Sequence, residues 1–188
     1  MAKKALGSNG NRGVGQLRKY LKKEGWEFMV GEAGDLRGLT GGDGHQWHWA
    51  ARQSECGRFL LFYGYCPHFV GAERRAAVAE YLTRANWRLY FGGFEMDWSD
   101  GQVCFRTTLT LGSTVVSEEA LGHLVWGNHY LMKRYLPGLL AVALANADPE
   151  QAVAAAEEEP AKNSETENSA DAQPIENGQA NRFSVSNN

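Results

Sequence analysis

Between Glu73 and Leu111 the chain carries an amphipathic helix that runs straight into a β-hairpin, and no other stretch limits the possible folds so strongly. Val78, Tyr81, Leu82 and Ala85 fall at i, i+3, i+4 and i+7 and make one apolar stripe, while Glu73, Arg74, Arg75, Glu80 and Arg84 lie mostly off it. The hairpin is centred on Asp100-Gly101, a dipeptide suited to the positive φ angles of a type I′ turn, which predicts a two-residue loop. Counting outward, Ser99 opposes Gln102, Trp98 opposes Val103, Met96 opposes Phe105 and Phe94 opposes Thr107, so the apolar residues share a face and Glu95 meets Arg106 on the other. Leu89 and Phe91 have the wrong parity for that face, and a bulge at Gly92-Gly93 restores it.

Upstream, residues 1–13 are glycine-rich, polar and basic and read as a mobile leader. Val14, Leu17, Tyr20 and Leu21 then form a helical stripe that Gly25 is placed to end, with Lys19, Lys22 and Lys23 at the negative end of the helix dipole. Trp26, Phe28 and Val30 alternate as a first strand. Gly31 to Gly44 holds six glycines in fourteen residues but lacks the lysine and hydroxyl residue of a phosphate-cradling loop, so it reads as a flexible connection. Trp47, Trp49 and Ala51 mark a second strand with an aromatic face. Arg58 to Tyr65, apolar on both sides, is a third strand central in the sheet.

After the hairpin, Ser117 is a candidate N-cap for a helix from Glu118 to Asn146 that Pro137-Gly138 should kink or break. Asp148-Pro149-Glu150-Gln151 has the form of a further helix start. From Pro160 onward Ser, Asn, Glu, Gln and Ala dominate, which predicts disorder, and Phe183 and Val185 read as a chance occurrence rather than a short docking motif. The divisions are thus a leader (1–13), a folded domain (14–146) and an acidic, mostly disordered tail (147–188).

Charge separates along the same lines. Residues 1–146 carry 17 Lys plus Arg against 13 Asp plus Glu, whereas 147–188 carry 2 against 9. A mildly basic body with an acidic tail argues against a dedicated nucleic-acid binder, an alternative that would act through Lys3, Lys4, Arg12, Arg18, Lys19, Lys22 and Lys23. Cys56, Cys66 and Cys104 are widely spaced without a paired motif, as expected for reduced thiols in a cytoplasm. No apolar run has the roughly 18 residues needed to cross a bilayer.

No catalytic constellation emerges, and neither a metal nor a cofactor is expected. His45 and His48 are three apart on a strand, where they point to opposite faces. Cys66-Pro67-His68 places a thiol beside an imidazole before a helix, an arrangement that can lower a thiol pKa, yet no orienting group accompanies it. His123 and His129 are out of phase on their helix, and Asp97 and Asp100 suit turn geometry. The surplus is aromatic: Trp26, Trp47, Trp49, Trp87, Trp98 and Trp126 exceed what a small core requires, and most of them fall on predicted apolar faces and read as core, the remainder as lining for a sheet surface or helix groove. Trp47, Trp49 and Trp126, with Arg52, Arg88 and Arg106, are the candidate protein-binding surface, by strand addition or helix-in-groove capture.

The run Glu73 to Asn86, then Gly93-Phe94-Glu95-Met96-Asp97 with Asp100-Gly101 and Phe105-Arg106-Thr107, and finally Arg134-Tyr135-Leu136-Pro137-Gly138-Leu139, resembles the YbjN family. The resemblance covers roughly Gly25 to Ala145. It implies a bacterial sensory transduction regulator with a fold similar to type III secretion chaperones: α+β, an antiparallel sheet flanked by helices in the order helix, three strands, helix, two strands, helix. It also implies a homodimer and a non-catalytic, regulatory or chaperone-like role in stress or signal response, with a protein or peptide as partner. The alternatives are an enzyme using Cys66 and His68 or His45 and His48, and a nucleic-acid-associated regulator.

Overall fold

A computed structural model describes residues 12–112 and 115–158. Lys3, Lys4, Phe183 and Val185, with most of the expected leader and tail, lie outside the described residues. The chain runs α1 (Arg12–Lys23), β1 (Met29–Val30), β2 (Leu36–Gly42), β3 (His45–Gln53), β4 (Phe59–Tyr65), a 3-10 turn (Ala72–Arg74), α2 (Arg75–Asn86), β5 (Gly93–Met96), β6 (Val103–Thr110), α3 (Glu118–Leu144) and α4 (Pro149–Glu157). The strands form one antiparallel sheet in the order β1-β2-β3-β4-β6-β5, with β4 central as its apolar sequence required.

Alternation sets the two faces. Trp47, Trp49, Ala51, Leu60, Phe62, Phe94 and Phe105 point one way and are buried beneath the helices. α1 seats Val14, Leu17 and Leu21 against Trp49 and Phe62, while α2 and α3 pack Val78, Tyr81, Met132 and Tyr135 against the β5–β6 half. No described helix covers the other face, where Leu39, His48 and Arg52 are exposed and Tyr63, Tyr65 and Arg106 half-buried.

Two local signals hold as read. α1 closes with Gly25 N–H donating to Lys22 O (3.2 Å) and Trp26 N–H to Leu21 O (2.9 Å). Ser117 Oγ accepts from Ala120 N–H (3.2 Å) at the start of α3. Ser117→Ala should therefore lower stability by about 1 kcal/mol, measured by urea denaturation.

Other expectations change. The first strand shrinks to Met29–Val30, because the reversal after Gly25 drops Trp26 among Trp49, Phe62 and Trp126 (ring centroids 5.6, 6.3 and 5.4 Å away) and takes residues 26–28 out of the sheet. The glycine-rich connection contains a full strand, β2, joined to β3 by Asp43-Gly44. Both turn residues have positive φ (51° and 81°), so the two-residue turn predicted downstream occurs here instead.

At Asp100-Gly101 the loop has four residues. Asp97 N–H donates to Gln102 O (2.9 Å) and Gly101 N–H to Asp97 O (2.8 Å), while the Asp97 carboxylate takes the N–H (2.8 Å) and hydroxyl (2.6 Å) of Ser99. The register moves by two: Phe94 faces Phe105, Met96 faces Val103 and Glu95 faces Cys104. An even shift preserves the faces, so Phe94 and Phe105 stay inside, and Glu95 still reaches Arg106 as a diagonal ion pair. Trp98 leaves the sheet and is 60% exposed.

The bulge at Gly92-Gly93 does not occur, since residues 87–92 form the turn out of α2 and no strand precedes Gly93. Nor does Pro137 break α3. Its ring lies on the exposed side, while Tyr135, Leu136, Leu139 and Val142 are buried and Tyr81 Oη–H donates to Tyr135 O (2.7 Å), holding both halves on one core. Finally, α4 forms behind its Asp148 cap (Oδ1 accepting from Gln151 N–H, 3.0 Å) and buries Val153 against α2 and α3. The compact body thus reaches Glu158, past the expected limit at Asn146.

Candidate functional site

The uncovered face carries an open groove of about 1010 Å³ where it meets the β1–β2 edge, with Met29, Leu39, Arg37, Arg52, Tyr63 and Tyr65 in its lining. Met29 is 73% and Leu39 50% exposed, so the groove presents apolar side chains to solvent beside its polar ones. Tyr63 and Tyr65 stack (5.9 Å, 16°), and Arg52 lies over the Tyr63 ring (5.6 Å) while its Nη2 donates to Tyr63 Oη (3.2 Å). Burial pushes the Tyr65 hydroxyl pKa upward. Arg37 is held by the largely buried Asp35 carboxylate.

The same corner presents open main chain. β1 pairs only with Leu36 and Arg37, so the rest of β2 is a free edge. In the β2–β3 ladder the closing pair is Gly42 with His45, and alternation turns the main-chain groups of Leu36, Gly38, Thr40 and Gly42 toward β3. Those of Leu39 and Gly41 therefore point outward, both residues are exposed, and no hydrogen bond reaches either group from the described residues.

The six candidate surface residues do not form one patch. Trp47 and Trp49 are each 1% exposed, so they belong to the core, because their parity places them under the helices. Trp126, 43% exposed, lies on α3 beside Trp26 and His129, on the opposite layer from Arg52. Arg106 is tied to Glu95, and Arg88, beyond α2, lies 3.3 Å from Glu157. Of the six, Trp49 and Arg52 line the groove, Trp49 as part of its buried wall and Arg52 from the exposed face. The sequence conceals Leu39 and Met29, because one falls in a glycine-rich stretch that reads as a loop and the other on the polar side of a strand.

His45 and His48 take opposite faces of β3, and among the described residues no three His, Cys, Asp or Glu side chains gather as a metal site. Cys66 is buried and its pKa is raised by loss of water, while the His68 ring is exposed, so that pair lacks the activated thiol an enzyme would need. Burial, and then Glu95, push Cys104 up to about 12. The thiol whose pKa is lowered is instead Cys56 in the β3–β4 turn, exposed and brought down to about 7 by hydrogen bonds with Ser54 Oγ (3.3 Å) and the Arg58 N–H. Ellman's reagent at pH 7.5 should titrate one thiol of the native chain rapidly, lost in Cys56→Ser, and the other two only on unfolding.

On α1, Arg18, Lys19, Lys22 and Lys23 are exposed, with Lys23 paired to Glu118 (2.5 Å). No described helix is long and apolar enough to cross a membrane.

The family model described as "YbjN: Putative bacterial sensory transduction regulator" matches residues 14–140. No curated protein matches the chain. Among solved structures, "Crystal structure of YbjN, a putative transcription regulator from E. coli" aligns with a TM-score of 0.50 at 16% identity, covering 71% of this chain and 90% of that one. At that identity the likeness establishes the fold: an antiparallel six-stranded sheet with helices on one side.

Proposed function

Because the chain belongs to the YbjN family, we propose that it is a non-catalytic regulator that recognises an extended segment of a partner protein by adding it as a strand beside β2. The supporting observation is the free Leu39–Gly41 edge opening onto the Met29, Leu39, Tyr63 and Tyr65 groove. Unpaired N–H and C=O groups supply main-chain bonds, and alternate side chains of the added strand lie on the groove. The five residues Gly38–Gly42 span roughly 17 Å, room for a short segment.

The reading is tested with the intact chain, Leu39→Asp and Leu39→Pro, the second removing an outward N–H of the edge, each used to capture partners from native lysate. A stoichiometric, salt-resistant protein retained by the wild type and lost by both variants, at unchanged melting temperature, supports it. Recovery of a nucleic acid, nucleotide or metal without protein sinks it and returns attention to the basic face of α1. The homodimer belongs to the same proposal, and light scattering on these samples reads it.

A further inference from the structure

α4 occupies a groove between α2 and α3 and is held there lightly. Val153 is its buried residue, Ala152 and Ala156 are half-buried, and nine residues is below the length at which a helix persists alone. Polar contacts do the rest. Arg84 lies 3.1 Å from Glu150 and Arg88 3.3 Å from Glu157, whose Oε1 also accepts from Tyr135 Oη–H (3.2 Å). Arg134 closes the C-terminal end, Nε donating to Ala156 O (2.7 Å) and Nη2 to Glu157 O (2.9 Å).

The groove is longer than its occupant. Beside Glu157 a cleft of about 270 Å³ lies between Arg88, Phe91, Leu131 and Arg134, with Trp87 (88% exposed) and Tyr90 (104%) nearby in sequence on the same turn. α2 and most of α3 fall inside the family match, which ends at residue 140, whereas α4 follows it. The joint is Asn146, at φ 56°.

We propose that the α2–α3 groove receives a short acidic helix with a small-residue face from a partner protein, and that α4 is its tethered competitor. Charge complementarity defines the occupant. Arg84 and Arg88 select carboxylates near the two ends of the incoming helix, and Arg134 reads its free C-terminal carbonyls, which fixes its direction. Gly138 lets the main chain of the occupant come close, since a Cβ there would stand 2.7 Å from Tyr81 Oη and 3.0 Å from Ala152 O, and the half-buried Ala152 and Ala156 suit that approach. While α4 is seated, the groove binds in proportion to the released fraction, so loosening α4 strengthens partner binding.

The test uses a fluorescein-labelled peptide with the sequence of residues 147–158 and the full chain in three forms: wild type, Val153→Asp with Glu157→Arg, and Asp148→Ala. The substitutions lie in α4 or its cap and leave the groove unaltered; Asp148→Ala, confined to the cap, serves if the double variant folds poorly. Hydrogen exchange of the 150–157 amides reports release. Anisotropy should show the peptide binding the double variant at least tenfold more tightly than the wild type, Asp148→Ala in between, and Arg134→Glu abolishing the gain. Amides that exchange freely with no gain in peptide affinity would overturn the proposal. So would dimers formed by exchanging α4, which make a second copy the occupant. Leu39→Asp should leave peptide binding unchanged, so failure here is distinct from failure at the sheet edge.

Discussion

Asn128→Asp is expected to cost about 3–5 kcal/mol at pH 7, and much less at pH 4, in urea melts at the two pH values. Asn128 is 0% exposed on the sheet side of α3. Its Nδ2 donates to Phe62 O (3.2 Å) and Phe105 O (2.9 Å) and lies 3.4 Å from Thr107 Oγ1, so one amide ties α3 to β4 and β6. A carboxylate of the same shape replaces these donors with a buried negative charge facing carbonyl oxygens. Burial raises the folded-state pKa of that carboxyl above its unfolded value of about 4. Below that pH the neutral acid is present in both states and can still donate one bond. Above it the unfolded chain releases the proton first, so the destabilisation grows with pH until the folded-state pKa is passed.

Asn128→Leu should cost about 1 kcal/mol. The register pairs Phe62 with Thr107 and Gly64 with Phe105, so both carbonyls keep their ladder donors, and Oδ1, which has no partner, is removed. A pH-independent Asn128→Asp effect would show that the amide is reached by water.

Trp49→Ala should lower stability by about 3–5 kcal/mol and the melting temperature by about 10 °C. The ring stacks on Phe62 (5.1 Å, 13°), meets Trp26 edge-on (5.6 Å, 75°) and lies under the main chain of β2, where a Cβ on Gly38 would come within 2.6 Å of it. Removing it leaves a cavity among α1, β2 and β4, walled by ladders and helix contacts that cannot collapse into it. Trp126→Ala, at 43% exposure, should cost about 1–2 kcal/mol. Calorimetry on the pair separates the tryptophans that sequence had grouped together. A Trp49 loss no larger than that of Trp126 would place the ring in solvent.

Neither residue's role could be read from the chain. Asn128 carries no periodic signal, because a polar residue in an apolar stripe looks like an error until the carbonyls of two strands are brought beneath it. Trp49 was placed on the correct face of the correct strand, but alternation does not say whether helices or a partner cover that face. The groove was hidden for a related reason. Leu36 to Gly42 has weak strand propensity and forms a strand because the Asp43-Gly44 turn lays it along β3 and Trp49 demands the bare backbone of Gly38.

What the amino-acid sequence determined by itself was local and periodic. The stripe of α2, the parity of β3 and β6, the caps at Ser117 and Asp148 and the end of α1 at Gly25 each depend on neighbours a few residues away. The family resemblance, resting on motifs in that order, belongs with them. Tertiary structure decided what depends on distant segments: the two-residue slip at Asp97, the continuity of α3 through Pro137, the seating of α4 and the side of the sheet left bare. In each, local preferences differ by about 1–3 kcal/mol, and the burial of several large side chains, at about 1.5–3 kcal/mol apiece, is large enough to choose among them.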